Sequence, residues 1–236
     1  MNYVSGQIGR SARVNLKYRH DRRYVGTKAL LNSGSFLDVG FLTEDRGIFK
    51  KPFNQERFDR EEQRFVAVAT SVTTGAATYF EKGHCSDIMA AVRASATMPY
   101  ISPAVEIDGE AYLDGGCSCK IPYEWALEQG YKKIVVIKTR ENGFRKPEKM
   151  IAPALTMYKN HAEFSLNLAT SNFTYNKQCD EIERLEAEGR LKAFAPSKPV
   201  TVSRIERDVN ALGDLYWLGY RDACEQMEEL KEYLGA

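Results

Sequence analysis

The sequence predicts an α/β fold with helices on both faces of a sheet, and three observations carry that expectation. Short apolar runs alternate with segments of helical periodicity along the chain. The run Ile134-Val135-Val136-Ile137 is continuous, as a strand buried in a parallel sheet requires. Between these lie clear hairpin signals. The 236 residues suffice for one sizeable core, Pro and Gly are scattered rather than pooled in a linker, and no internal repeat occurs. One domain over residues 1–236 is therefore expected, with residues 150–236 forming a helical C-terminal extension packed on it.

Residues 1–24 carry Arg10, Arg13, Lys17, Arg19, Arg22 and Arg23 among Val14, Leu16 and Tyr18, a pattern that reads as one basic helix. Residues 64–72, rich in Val and Ala, and residues 76–81 flank Thr74-Gly75 and predict a hairpin. Ser86 suits the N-cap of a helix over residues 87–98, with Ile88, Ala91, Val92 and Ser95 on one face and Pro99 as its stop. Asp108-Gly109, between the strands 105–107 and 110–113, signals a two-residue hairpin turn. Asp114-Gly115-Gly116 follows at once. Pro122 suits the first position of a helix over residues 123–129 that Gly130 closes, and a strand over residues 133–138 comes next. Residues 150–189 are helical in pattern, with interruptions expected near Pro153 and at residues 171–174, where β-branched and small polar residues cluster. A short strand over residues 192–195 precedes a final amphipathic helix, 209–234, that should turn Leu212, Leu215, Tyr216 and Tyr220 to the core.

Composition narrows the function classes. Lys and Arg total 33 against 32 for Asp and Glu, so the net charge of +1 supplies no general attraction for nucleic acid, and no nucleic-acid partner is expected. The five cysteines lack the even spacing of a disulfide framework, which points to a reducing compartment. No apolar run approaches the roughly 18–20 residues that span a bilayer, and no signal-peptide core opens the chain; a cytoplasmic location is expected. The basic run from Arg10 to Arg23 leaves room for peripheral contact with an anionic membrane, although such runs are more often solvated faces. Cys117 and Cys119 with His84 and Cys85 match no usual zinc spacing, so neither a metal nor a cofactor is expected. His20, His84 and His161 sit in ordinary contexts.

The ordered segments Arg93-Ala94-Ser95-Ala96-Thr97-Met98-Pro99, Pro103 through Gly109, Tyr112-Leu113-Asp114-Gly115-Gly116 and Ile121-Pro122 resemble the patatin-like phospholipase family. The likeness extends to Tyr3-Val4-Ser5-Gly6-Gln7, to the strand from Phe65 to Thr70, and to Val202 through Asp208. The resemblance implies a three-layer sandwich with a mostly parallel central sheet. It also implies a lipid acyl hydrolase with a Ser-Asp dyad, in which Asp114 is the general base and Gly115 and Gly116 form the supporting turn. A serine hydroxyl is a poor nucleophile until a neighbouring base takes its proton, and a carboxylate held within hydrogen-bond reach can be that base. Taken alone, Asp114-Gly115 is a common turn dipeptide; the surrounding pattern is what gives it a chemical meaning.

The family's glycine-rich oxyanion loop and its Gly-x-Ser-x-Gly elbow do not occur in these 236 residues. Neither Ser35 in Gly34-Ser35-Phe36 nor Ser118 in Gly116-Cys117-Ser118-Cys119 completes that pattern. The expectation is a chain truncated before its nucleophile, lacking the N-terminal strands of the sheet and inactive as it stands. Uncovered sheet edges would then favour pairing into a homo-oligomer. A different class of function, a non-catalytic lipid- or partner-binding module with an apolar cleft near Met98, Pro99 and Tyr100, is the alternative.

Overall fold

A computed structural model describes residues 3–33, 53–60, 62–203 and 206–235. Two compact units emerge, Met1–Cys119 with Ile151–Ser171, and Lys120–Met150 with Asn172–Ala236. The first contains helices α1 (Arg10–Tyr18), α2 (Thr27–Ser33) and α3 (Gln55–Arg60), then strands β1 (Val66–Ser71) and β2 (Ala77–Glu81), helix α4 (Ile88–Ser95), and strands β3 (Val105–Ile107) and β4 (Glu110–Asp114). A 3₁₀ turn, Gly115–Cys117, follows β4 directly. The second unit holds α5 (Tyr123–Glu128), β5 (Val135–Ile137), β6 (Lys192–Phe194), α8 (Val209–Glu225) and α9 (Met227–Leu234). Helix α6 (Ala152–Met157) belongs to the first unit, and α7 (Ala162–Ala187) runs through the division at Ser171.

In the first unit the sheet order is β2-β1-β4-β3, and every pairing in it is antiparallel. The mostly parallel sheet expected from the sequence is thus absent among the described strands, where β5 with β6 is the parallel pair. For β3 and β4 the connection accounts for this, because a two-residue turn can join only antiparallel neighbours. Both hairpins stand where turn chemistry puts them. Asp108 at φ 52° and Gly109 at φ 79° take the left-handed values of a type I′ turn, which matches the twist of the flanking strands.

One face of the sheet packs on α4. Ala90, Ala91 and Ala94 meet Ala67, Ala69, Phe80, Val105 and Ile107, and the small side chains let helix and sheet approach closely. The other face lies on Ala154, Phe164, Leu168 and Ala169 through Val72, Leu113 and Cys117. The cap of α4 is Asp87 rather than Ser86, since Asp87 Oδ1 accepts from the amides of Met89 and Ala90 at 3.0 and 2.8 Å. The Ser86 hydroxyl instead donates to Asp108 Oδ2 at 2.7 Å, tying the helix start to the β3–β4 turn. Asp87→Ala should lower stability by about 1 kcal/mol, and Ser86→Ala by less, read as shifts of the urea midpoint.

Other expectations change in detail. Residues 1–24 are not one helix: Gly9, at φ 75°, sets a break before α1. Its arginines are not all solvated either, for Arg10 and Arg19 are buried. Pro122 takes the cap position of α5 rather than its first helical position. No interruption occurs at residues 171–174, because the polar side chains there find partners. Thr170 Oγ1 donates to Leu166 O, and Asn172 and Asn176 bond the backbone of Lys149 and Lys146. The last helix is divided at Gln226. Tyr216 and Tyr220 are exposed and stack edge-on against Trp217 instead of entering the core. The apolar run is buried at Ile134 and Val136, with Val135 and Ile137 exposed.

Candidate functional site

Asp114 closes β4, and three contacts hold it there. Its amide donates to Thr97 O at 2.9 Å, which joins the turn after α4 to the end of the strand. Thr97 is itself fixed by its hydroxyl, which donates to Arg93 O at 2.7 Å. The two halves of the sequence pattern, Arg93 to Pro99 and Tyr112 to Gly116, therefore meet in space. Asp114 Oδ1 accepts from the amide of Gly116 at 2.7 Å and so caps the 3₁₀ turn. The third contact comes from Thr70 Oγ1, which donates to Asp114 O at 2.9 Å.

Register decides which way these groups face. Asp114 lies opposite Ala69 and Tyr112 opposite Ser71, so Asp114 shares the α4 side of the sheet with Ala69 and Tyr112. The side chain is half-buried. Thr70, one residue along β1, faces the opposite side, and it is this hydroxyl that bonds Ser118 Oγ at 2.8 Å. Ser118 is engaged by that hydroxyl.

Gly115 is required for a reason that a turn argument does not supply. A Cβ on it would lie 2.4 Å from the carbonyl oxygen of Val68 and 2.8 Å from its carbonyl carbon. Glycine here permits backbone to touch backbone between the turn and β1. Gly116 supplies the amide that fixes the carboxylate. Thr70 and Thr97 were not singled out from the sequence, since their contacts with Asp114 link positions far apart in the chain and leave no local signal.

Tyr100 adds an unusual feature, with a left-handed φ of 72°. Its amide donates to the Tyr158 hydroxyl at 2.9 Å, and the two rings lie 5.7 Å apart, so Tyr158 holds the strained residue in place. The space beside Met98 and Pro99, expected as a cleft, thus has Tyr158 packed against Tyr100. Burial pushes both phenols above their ordinary pKa. The Tyr100 hydroxyl is buried with no hydrogen-bond partner among the described residues. Tyr100→Phe should therefore be neutral or stabilising by up to about 1 kcal/mol in thermal unfolding, because it removes an unmet donor and keeps the ring.

His20 and His84 are exposed, and His161 lies just before α7 rather than within a helix, its amide bonded to Tyr158 O. Cys117 is buried in the 3₁₀ turn, and Cys119 Sγ accepts from the Tyr79 hydroxyl at 3.8 Å. Among the described residues no group of three His, Cys, Asp or Glu side chains is placed to hold a metal ion. Nor is any described helix long and apolar enough to cross a membrane.

Comparison with known proteins adds three findings. The family model for patatin-like phospholipase matches residues 10–127, which include Asp114, Gly115 and Gly116. A second model, described as a domain of unknown function (DUF6363), matches residues 167–235. The chain is similar to the Uncharacterized protein YjjU of Escherichia coli (strain K12), 24% identical over 231 residues that make up 92% of this chain and 62% of that protein. It therefore spans less than two thirds of that relative's length.

Proposed function

Because the chain belongs to the patatin-like phospholipase family, we propose that it serves a lipid acyl hydrolase cleaving carboxylic esters, with Asp114 as the general base of a Ser-Asp dyad. The observation that carries this reading is the fixation of Asp114 from both sides, by Thr97 O on its amide and by the Gly116 amide on its carboxylate. An aspartate ionised at neutral pH is a weak base, with an ordinary pKa of about 3.9, so its effect depends on fixed geometry rather than on basicity. It would take the serine proton as the bond to the acyl carbon forms, and return it to the departing alkoxide. An acyl-serine is left for water to hydrolyse.

No Gly-x-Ser-x-Gly element occurs in the 236 residues, and this reading takes its serine from such an element. This reading does not use Ser118, which lacks the Gly-x-Ser-x-Gly context and whose hydroxyl is bonded to Thr70. The test is hydrolysis of a fluorogenic short-chain ester by a polypeptide that carries this chain together with such an element. Turnover should disappear with Asp114→Asn and survive Ser118→Ala. Turnover that survives the first substitution would remove Asp114 from the chemistry.

A further inference from the structure

Tyr100 carries two unfavourable features at once. Among the described residues two other than glycine have a positive φ, Tyr100 at 72° and Asp108 at 52°. Asp108 stands in a hairpin turn that calls for such a value, and aspartate tolerates it. A bulky aromatic does not, and Tyr100 also buries a hydroxyl with no partner among the described residues. Such a conformation persists only where its surroundings impose it, and strain of this kind gathers at functional sites.

Tyr158 imposes it, since its hydroxyl accepts from the Tyr100 amide at 2.9 Å. Tyr158 is itself anchored. It closes α6 with its amide on Ala154 O, its carbonyl accepts from the His161 amide at 2.8 Å, and its ring centroid lies 4.8 Å from that of the buried Phe164. Both tyrosines pack against the cluster that contains Leu113 and Cys117, which stand on either side of Asp114 in the chain.

The path from Tyr100 to Asp114 is short. Thr97 O, which accepts from the Asp114 amide at 2.9 Å, lies in the peptide plane that Thr97 shares with Met98. The Thr97 amide on Ala94 O and the Thr97 hydroxyl on Arg93 O fix only the helix side of that residue. The direction of its carbonyl is set from the other side, by Met98-Pro99-Tyr100. Proline fixes its own φ and restricts the residue before it, so this stretch passes a displacement on instead of absorbing it.

We propose that Tyr158 is a positioning residue for Asp114, acting through the strained Tyr100 and the Thr97 carbonyl. It lies between the two matched stretches, 10–127 and 167–235, so neither family model includes it. Its consequence for turnover rests on the reading of Asp114 as general base, whereas the positioning is measured without turnover.

Hydrogen exchange followed by NMR on this chain tests it. Tyr158→Phe keeps the ring and removes the acceptor. Relative to the Lys82 amide, which is bonded to Phe65 O beside the β1–β2 hairpin, the amides of Asp114 and Gly116 should exchange about ten-fold faster. A general loss of stability would speed all three alike. Tyr100→Gly removes the strain, so in that background Tyr158→Phe should change Asp114 exchange by less than about three-fold. In the ester assay Tyr158→Phe should lower kcat about ten-fold with KM unchanged, and the loss should shrink in the Tyr100→Gly background. No acceleration at Asp114, equal acceleration at Lys82, an undiminished effect in the Tyr100→Gly background, or an unmoved kcat would each overturn the proposal. If Tyr158→Phe does not fold, the double variant decides: it should fold with the Asp114 amide protected, and its failure to do so would overturn the proposal as well. A parent polypeptide without turnover would defeat the hydrolase reading and leave exchange to decide this one.

Discussion

In a polypeptide that carries this chain together with a Gly-x-Ser-x-Gly element, Asp114→Asn is expected to lower kcat for ester hydrolysis by about 10²–10⁴-fold, the contribution of a positioned general base, and to leave the melting temperature nearly unchanged. The two halves of that expectation come from different atoms. An asparagine oxygen can still accept from the Gly116 amide, so the cap of the 3₁₀ turn persists, as does the backbone bond to Thr97. What the amide cannot do is take a proton. Asp114→Ala should differ, losing the cap as well, with about 1 kcal/mol of stability gone. The comparison of kcat and unfolding midpoint across both variants separates chemistry from structure. A loss of activity that tracked stability in the two would reduce Asp114 to a turn residue.

Gly115→Ala is expected to destabilise the protein by about 3 kcal/mol, the upper part of the range for overpacking a filled interior. The added methyl would stand 2.4 Å from the Val68 carbonyl oxygen, and that oxygen belongs to one of the two inner strands of the sheet. A flexible side chain could move aside, but β1 is paired on both edges, with β2 and with β4. Relief must come from displacing the turn, which carries the Gly116 amide away from the Asp114 carboxylate. Stability and activity should therefore fall together, as urea unfolding and the ester assay would show. A variant within 0.5 kcal/mol of the parent would contradict the close approach.

What was legible in advance follows the range of the interactions concerned. The β3–β4 hairpin was readable because Asp108-Gly109 encodes its own left-handed dihedrals, and α4 was readable from its periodic face, although its cap is Asp87 and not Ser86. Asp114 was readable only through a pattern, Arg93 to Gly116, whose physical meaning is the contact between Thr97 and Asp114. The unbroken course of α7 was not, since it depends on Asn172 and Asn176 reaching carbonyls more than twenty residues away. Nor was the exposure of Tyr216 and Tyr220, for an amphipathic stripe does not say what lies opposite it.

The sequence by itself determined most of the local elements and the hairpin turns, because those rest on dihedral preferences and on residues close together in the chain. Tertiary structure alone decided the antiparallel order β2-β1-β4-β3, the face on which Asp114 stands, and the pairing of Ser118 with Thr70. Each of these depends on which distant backbone passes alongside, and no dihedral preference or capping signal carries that information.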